Sequence, residues 1–349
     1  MLQPLKMSVR PREVSQKLLT NIENKRVREV LEKRFGLKNG PRKTLDAIGK
    51  EYGITRERVR QIEADGLRVL AAPAIYSVAD SAFKALRDHL DEHGSVAAEG
   101  HLLHSVADEK DHPHVSFLLT VGKPFQKKPE TDGLHTAWFT AKTAHDAVGK
   151  ILEGVYRDLD AKKVPVTKET LLDMIASHAE RVLGSKPKDH VVRNFLGMAK
   201  SIGENPYGEY GLISWSTIRP KGVRDKAYLV LQKAAKPLHF REVARTINSM
   251  NWVKKAAHPQ TVHNELIKAG DRFVLVGRGL YALREWGYTP GTVAEVMQSI
   301  IKEAGKPMTK EDLIKRVLEK RFVKENTILL NLQNRSLFQK SADGKYFLA

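Results

Sequence analysis

A short run near the N-terminus carries side chains suited to reading DNA bases. Residues 55–61 are TRERVRQ, and Arg56, Glu57, Arg60 and Gln61 fall on the outer side of the helix that this run predicts. Arginine can grip guanine through two acceptors, glutamate can accept a hydrogen bond from cytosine, and glutamine can pair with adenine. In a helix-turn-helix, the first residues of the second helix meet base edges. The predicted chemistry is therefore direct recognition of a DNA sequence.

The alternative is a solvated charged face with i,i+4 pairs such as Glu57 with Gln61. The neighbouring elements favour DNA reading. Thr44 is suited to cap a short helix, LDAIGKEY, the next glycine supplies a turn, and Thr55 is suited to cap a longer helix, RERVRQIEADGLRVL. Short helix, turn and capped helix follow in the order of a helix-turn-helix over residues 44–70. Apolar spacings of three and four predict two further amphipathic helices, near 14–22 and 27–35.

From about Arg12 to Ala72 the sequence resembles region 4 of the sigma-70 family of bacterial RNA polymerase sigma factors. The motif RFGL followed by TLDAIGKEYGITRERVRQIEADGLRVL carries this resemblance. It implies that the module recognises the −35 promoter element and packs on the flap of the polymerase β subunit, with the aliphatic surface of the first two helices facing polymerase. By position, it assigns base and backbone contacts to Arg56, Glu57, Arg60 and Gln61, and phosphate contacts to Arg58 and Thr44.

A complete sigma factor also has region 2, an aromatic-rich part that melts the promoter and lies upstream of region 4. Only 11 residues precede the match, and no similar helix follows it. We therefore expect this chain not to open a promoter by itself.

The rest of the chain repeats one phrase. Segments 124–140, 202–217, 272–287 and 337–349 each have a strand-like start, a glycine-containing turn and an alternating aromatic and aliphatic strand, preceded by helical segments. Helices followed by a hairpin are the order of a winged helix. The expected fold is mainly α with small β wings: a four-helix helix-turn-helix module followed by tandem winged-helix domains. The expected divisions are a tail at 1–11, the sigma region 4-like module at 12–73, divergent winged helices at 74–140 and 141–220, a third winged helix at 221–288 and a C-terminal one at 289–349.

The third winged helix resembles the HARE-type helix-turn-helix, also seen in the delta subunit of bacterial RNA polymerase. The segments KPLHFREVARTIN, TVHNELI and FVLVGRGLYALREWGY carry this likeness over about 222–288. Its expected recognition helix is about 258–269, and the candidate DNA contacts are Lys254, Lys255, His258, Gln260, Thr261, His263, Asn264 and Lys268, with Arg278 at the wing tip. The alternative is a protein-binding winged helix with a basic surface. Weaker candidates in the fourth winged helix are Lys324, Asn326 and Asn331.

In the first two winged helices the corresponding segments, HPHVSFLLTVG and DHVVRNFLGMA, are apolar or mixed. We expect these two domains to serve as spacers or protein contacts, including contacts with polymerase.

Positive charge is concentrated in blocks. The net charge is +18, with 17 basic and 9 acidic residues in 1–72, 19 and 20 in 73–221, 12 and 5 in 222–288, and 11 and 7 in 289–349. Blocks of Lys and Arg release counterions when they meet a phosphate backbone. Nucleic-acid binding is therefore expected at the two ends of the chain and not in its middle.

No catalytic constellation is found in the sequence. There is no cysteine, no phosphate-binding GxxxxGK[ST] loop and no GxSxG elbow. A cluster of His101, His104, His112 and His114 with Asp108, Glu109 and Asp111 matches no metal-ligand spacing, and its histidines are expected on the surface, two of them flanking Pro113 in a loop. We expect no enzyme activity, no metal, no cofactor and no small-molecule substrate.

No apolar run is long enough to span a membrane. The expected protein is a cytoplasmic, nucleoid-associated bacterial factor. It is expected to be a sigma-like or sigma-associated transcription factor whose partners are double-stranded DNA and the β flap of core RNA polymerase. Two alternatives remain: an architectural DNA-binding protein of the nucleoid, and a flap-binding regulator that excludes sigma factors.

Overall fold

The computed structural model describes residues 10–38, 40–250 and 256–349. These residues are mainly helical with short antiparallel strands, which confirms the predicted fold class. They form two compact units. The first runs through Gly203 and takes in Gly208–Ile213, and the second consists of Glu204–Tyr207 and Ser214–Ala349.

Up to residue 213 the described chain contains eleven α-helices and five strands. The helices are α1 (Pro11–Thr20), α2 (Lys25–Phe35), α3 (Leu45–Tyr52), α4 (Arg56–Leu70), α5 (Pro73–Tyr76), α6 (Asp80–Glu92), α7 (Glu99–Val106), α8 (His112–Val121), α9 (Lys142–Lys162), α10 (Lys168–Leu183) and α11 (Asp189–Met198). The strands are β1 (Val96–Ala98), β2 (Gln126–Lys128), β3 (Ala137–Phe139), β4 (Ile202–Glu204) and β5 (Tyr210–Leu212). Strands β1, β3 and β2 form one antiparallel sheet in that order, and β4 pairs with β5.

Both helices of the helix-turn-helix begin at the threonines expected to cap them. The Thr44 hydroxyl accepts a hydrogen bond from the Ala47 amide at 3.1 Å, and the Thr55 hydroxyl accepts one from the Arg58 amide at 3.2 Å. These caps satisfy amide groups that a helix N-terminus leaves without a partner. The start of α4, and hence the first residues of the expected recognition helix, is set by Thr55.

The turn between α3 and α4 depends on two glycines. Gly53 adopts a left-handed conformation with φ of +64°, which a residue with a side chain reaches only at a cost. A Cβ on Gly49 would lie 2.6 Å from the carbonyl oxygen of Ile54, so the turn can approach α3 closely only because no side chain is there. Val59 and Ile62 then bury the inner face of α4 against α2 and α3.

One apolar core joins the helix-turn-helix module to the winged helix that follows it. The buried residues of this core run from Val14 to Trp138 and belong to α1, α2, the end of α4, α6, α7, α8 and β3. The rings of Phe35 in α2 and Phe117 in α8 meet edge to face, with centroids 5.2 Å apart. The boundary expected near residue 73 is therefore a boundary between elements that share a core.

The second unit contains two helix–hairpin arrangements in succession. Their helices are α12 (Val223–Ala234), α13 (Phe240–Ser249), α14 (Pro259–Lys268), α15 (Val293–Ala304), α16 (Lys310–Lys320) and α17 (Glu325–Leu332). Their strands are β6 (Leu238–His239), β7 (Phe273–Gly277), β8 (Leu280–Leu283), β9 (Phe338–Lys340) and β10 (Tyr346–Leu348). In the first arrangement β6, β8 and β7 form a sheet, and in the second β9 pairs with β10 while Met308 bridges to Tyr346.

A buried arginine links these two arrangements. Arg321, at the end of α16, is 5% exposed, and its Nη1 donates to the carbonyl of Leu275 at 2.6 Å and to that of Thr289 at 3.1 Å. Burial lowers the pKa of Arg321, while the charge of Glu295 raises it. The side chain thereby ties the last helical turn of one winged helix to the wing of the other.

No single helix among the described residues has the length and apolar composition of a membrane span. Only a bent pair, Arg56–Leu70 with Pro73–Glu92, reaches that length and composition, across an angle of 75°.

Candidate nucleic-acid interface

The side chains predicted to read bases lie together on one exposed face. Arg56, Glu57, Arg60 and Gln61 are all exposed, whereas Val59 and Ile62 on the opposite side of α4 are buried. The helix thus has an apolar face that fixes it to the module and a polar face at its N-terminal end. This is the arrangement that a recognition helix needs, because its first turns must reach base edges while its other side stays packed.

Two ion or hydrogen-bonded pairs organise that face. Nε and Nη2 of Arg60 donate to the carboxylate of Glu57 over distances of 2.7–3.1 Å, and Arg58 donates to the Gln61 amide oxygen at 3.0 Å. Hydrogen bonding by Arg60 lowers the pKa of Glu57, and the same contact raises the pKa of Arg60. The partner of Glu57 is thus mainly the residue three positions on, and not Gln61 as the alternative interpretation assumed.

The pairing of Glu57 with Arg60 leaves both groups open to solvent. Their side chains are 60% and 59% exposed, so water can replace either partner. Exposed pairs of this kind contribute little to folding stability. A carboxylate and a guanidinium side by side present an acceptor next to a fork of donors.

A recess at the N-terminus of α3 adds a positively charged site that the sequence did not indicate. It has a volume of about 470 Å³ and is lined by Arg34, Thr44, Leu45, Asp46 and Arg56. Backbone amides at a helix N-terminus attract phosphate oxygens, and two arginines beside them add charge. Arg34 comes from α2, ten residues before Thr44, and nothing in the local sequence pattern places it here. Its Nε also lies 3.2 Å from a Glu63 carboxylate oxygen.

The expected recognition helix of the third winged helix is present as α14, but its candidate residues differ in accessibility. Gln260, Thr261 and Asn264 are exposed, and Gln260 donates to the Asn264 side chain at 3.3 Å. His263 is half-buried and stacks on Phe240 with centroids 4.5 Å apart. Its ring is therefore committed to packing, which leaves less of it available to a partner than the sequence suggested.

The remaining candidates of this winged helix divide in the same way. Arg278 is exposed in the turn between β7 and β8, and Lys268 is exposed at the end of α14. His258 caps α14 by accepting from the amide of Gln260. Lys254 and Lys255 lie outside the residues that the structure describes.

In the fourth winged helix the corresponding helix presents apolar surface. Leu330 of α17 is 65% exposed, and the side-chain amide of Asn331 donates to the carbonyl of Thr327 within the same helix. Lys324 and Asn326 are exposed at its start. The amide of Asn331 is already used by the helix backbone, so this helix offers less to bases than α14 does.

The first two winged helices bury their corresponding helices inside the chain. In α11, the Asn194 amide donates to the carbonyls of His93 at 2.8 Å and Val96 at 2.6 Å. In α8, seven of ten residues are buried. Both helices make protein contacts, one of the two roles expected from their apolar character.

The surface expected to face polymerase is not open in this structure. Val14, Leu18, Leu19 and Ile22 are buried, as are the apolar residues of α2, and α8 packs on this side of α1 and α2. The prediction of an exposed aliphatic surface is therefore wrong for this arrangement of the chain. The reason is tertiary, because the apolar helix that covers the surface begins about 90 residues later in the sequence.

Two expectations about the histidine cluster are also wrong. Pro113 lies in the first turn of α8 and not in a loop, a position where proline is well tolerated. His114 is buried, with its Nδ1 2.6 Å from the Ser15 hydroxyl, whereas His101 and His104 are exposed. Within residues 10–38, 40–250 and 256–349, no group of three His, Asp or Glu side chains is placed to hold a metal ion.

Comparison with known proteins supports both sequence resemblances. Residues 24–72 match the family model of sigma-70, region 4, and residues 223–286 match that of HARE-HTH, an HTH domain named in part after restriction endonuclease. A stretch of 73 residues is 45% identical to the RNA polymerase sigma factor SigA of Clostridium acetobutylicum, covering 21% of this chain and 18% of that protein. The chain thus spans less than a fifth of the length of that curated relative.

Proposed function

We propose that this chain, which carries a sigma-70 region 4 domain and a HARE-HTH domain, is a transcription factor that recognises promoter DNA through α4 and docks on bacterial RNA polymerase. It acts by recruitment, without a chemical step of its own. Its partners are double-stranded DNA and core polymerase, and its place is the nucleoid of the cytoplasm. The third winged helix adds further contacts to DNA through Gln260, Thr261, Asn264 and Arg278.

The observation that carries this proposal is the exposed N-terminal face of α4. Glu57 and Arg60 stand side by side, and they suit a cytosine and a guanine on neighbouring base pairs. The recess between Arg34, Thr44 and Arg56 suits a backbone phosphate, which would fix the helix in the groove. Base-reading and phosphate-binding groups thus occur on one module in the roles that sequence-specific binding requires.

The main competing function is that of an architectural protein. Exposed basic residues in several modules would bind any DNA, with a strong dependence on salt and no preferred sequence. A flap-binding regulator that excludes sigma factors is a further candidate, and it would bind polymerase without needing DNA.

Replacement of Arg60 by alanine distinguishes sequence reading from general DNA binding. A binding site is first selected from random duplexes with the full-length protein. We expect Arg60→Ala to lower affinity for the selected site roughly 5- to 150-fold and to relax the preference at one base pair. Affinity for unrelated DNA should change much less.

Arg68 offers a matched control on the same helix. It also pairs with an acidic residue three positions earlier, Asp65 at 3.0 Å, but lies about 12 Å further along the helix axis. Arg68→Ala should leave the base preference unchanged. An equal loss on all DNA for both variants, without a preferred sequence in the wild type, would establish the architectural function instead.

Docking on polymerase is tested separately. Core polymerase of the source bacterium is mixed with the tagged protein, and transcription is measured with and without the housekeeping sigma factor. We expect co-purification with core and altered transcription only when that sigma factor is present. No co-purification would remove both polymerase-dependent functions, and transcription driven by this protein alone would contradict the expectation that it lacks a melting function.

A further inference from the structure

The helix α8 is apolar on every side. Its buried residues are His114, Val115, Ser116, Phe117, Leu118, Leu119 and Val121. A helix that is apolar all round must be covered all round. It is the third helix of its winged helix and comes directly before the β2–β3 wing, which is where a DNA-reading winged helix exposes a polar surface.

The surface of α8 that would otherwise be open is covered by the helix-turn-helix module. Phe117 reaches the ring of Phe35 in α2, and His114 lies against Ser15 in α1. Leu18 and Leu31, on the module's side of the same core, are fully buried. The first winged helix therefore uses its recognition-helix position to bind another part of its own chain.

We propose that α8 is an internal competitor of polymerase for the apolar face of α1 and α2. This inference rests on the proposed docking function, which assigns that face to the polymerase flap. With α8 in place the face is filled, and docking through it requires α8 to leave. The DNA-reading face of α4 is exposed in the same structure, so the contact restrains polymerase docking and leaves DNA reading open.

The polar pair in this interface makes an exchange of helices feasible. The Ser15 hydroxyl donates to the carbonyl of Arg12 at 2.9 Å, so it accepts from Nδ1 of His114 at 2.6 Å. Water can satisfy both groups once α8 moves away. The apolar residues have no such substitute, so the fitting competitor is another apolar helix that presents a large side chain at the place of Phe117.

The magnitude follows from the population of the open form. Binding that requires a minor conformation is weakened by the fraction of molecules in that conformation. Loss of a buried phenylalanine ring weakens the closed form, so Phe117→Ala should tighten binding to core polymerase at least about tenfold. Phe117→Leu, which keeps most of the apolar volume, should have a smaller effect.

A covalent lock provides the opposite perturbation. The chain has no cysteine, so Ser15→Cys with His114→Cys introduces the only two thiols. Joining them by oxidation, or by a short thiol-specific linker, holds α8 on α1. We expect the joined protein to bind core polymerase at least about tenfold more weakly than its reduced form, with recovery after reduction of the disulfide.

The DNA site selected for α4 serves as the folding control in every arm. Tighter polymerase binding by Phe117→Ala, or weaker binding by the locked protein, with DNA affinity retained, supports the inference. Equal polymerase binding by wild type, Phe117→Ala and the locked protein overturns it while docking stands. Absence of polymerase binding in all forms overturns docking itself and the competition with it. If Phe117→Ala loses DNA binding because the unit unfolds, the locked and reduced forms decide alone.

Discussion

Replacement of His89 by glutamine should make the first unit less sensitive to acid. His89 is 5% exposed, and its Nε2 lies 2.9 Å from the Ser105 hydroxyl. That hydroxyl donates to the carbonyl of Leu102 at 2.8 Å, so it accepts from His89, which is neutral with its proton on Nε2. Burial lowers the pKa of His89 to about 4, and the neighbouring His93 lowers it further than Glu92 raises it.

The sign and size of the effect follow from linkage. The unfolded chain binds a proton on this side chain near pH 6.5, and the folded chain only near pH 4. Stability contributed by neutral His89 is therefore present above pH 6.5 and is lost as the pH falls toward 4. Between pH 7.5 and pH 5.0 these pKa values correspond to a loss of about 2 kcal/mol in the free energy of unfolding.

Urea unfolding at pH 7.5 and pH 5.0 measures this loss. Trp138 reports on the first unit when the other three tryptophans are replaced by phenylalanine. Other titrating groups are shared by wild type and His89→Gln, so they cancel in the difference of differences, which should be about 2 kcal/mol. A value below about 0.5 kcal/mol, or an NMR titration of His89 near its ordinary pKa, would refute the reasoning.

Three further predictions concern the other devices of the fold. Arg321→Met should lower the free energy of unfolding of the second unit by about 2–4 kcal/mol, because two buried carbonyls lose their donor, and thermal unfolding would show this. Gly49→Ala should destabilise the helix-turn-helix by about 1–3 kcal/mol in urea unfolding, since its Cβ would collide with backbone. Gly100→Ala, where a Cβ meets nothing within 4 Å, should be neutral or stabilising, and a loss equal to that of Gly49→Ala would contradict the collision. Arg34→Ala should weaken binding to every DNA sequence and reduce the slope of log affinity against log salt by about one, whereas an unchanged slope would exclude a phosphate contact.

Much of the helix-turn-helix could be predicted from its residues alone. Thr44 and Thr55 cap the helices, Gly53 makes the turn, and apolar spacing distinguishes Val59 from the exposed Arg60. These features act within one or two helical turns, so local sequence contains the physics that determines them. The four hairpins were predictable for the same reason, because strand alternation and a glycine turn are local signals.

What lies between distant segments required the tertiary structure. The recess at Thr44 includes Arg34, and the place of Arg34 depends on how α2 crosses α3, which no spacing in the sequence encodes. His114 was expected on the surface because histidine and proline suggested a loop, but the apolar run after it forms a helix that needs cover on both sides.

The sequence by itself determined which residues can read DNA, because that ability belongs to side-chain type and to helical period. Only the tertiary structure decided which faces are free to act. The amphipathic pattern of α1 and α2 shows that an apolar face must be buried and cannot show what buries it. Here it is α8 of the same chain, since burial has no direction in sequence and any apolar helix within reach can satisfy it.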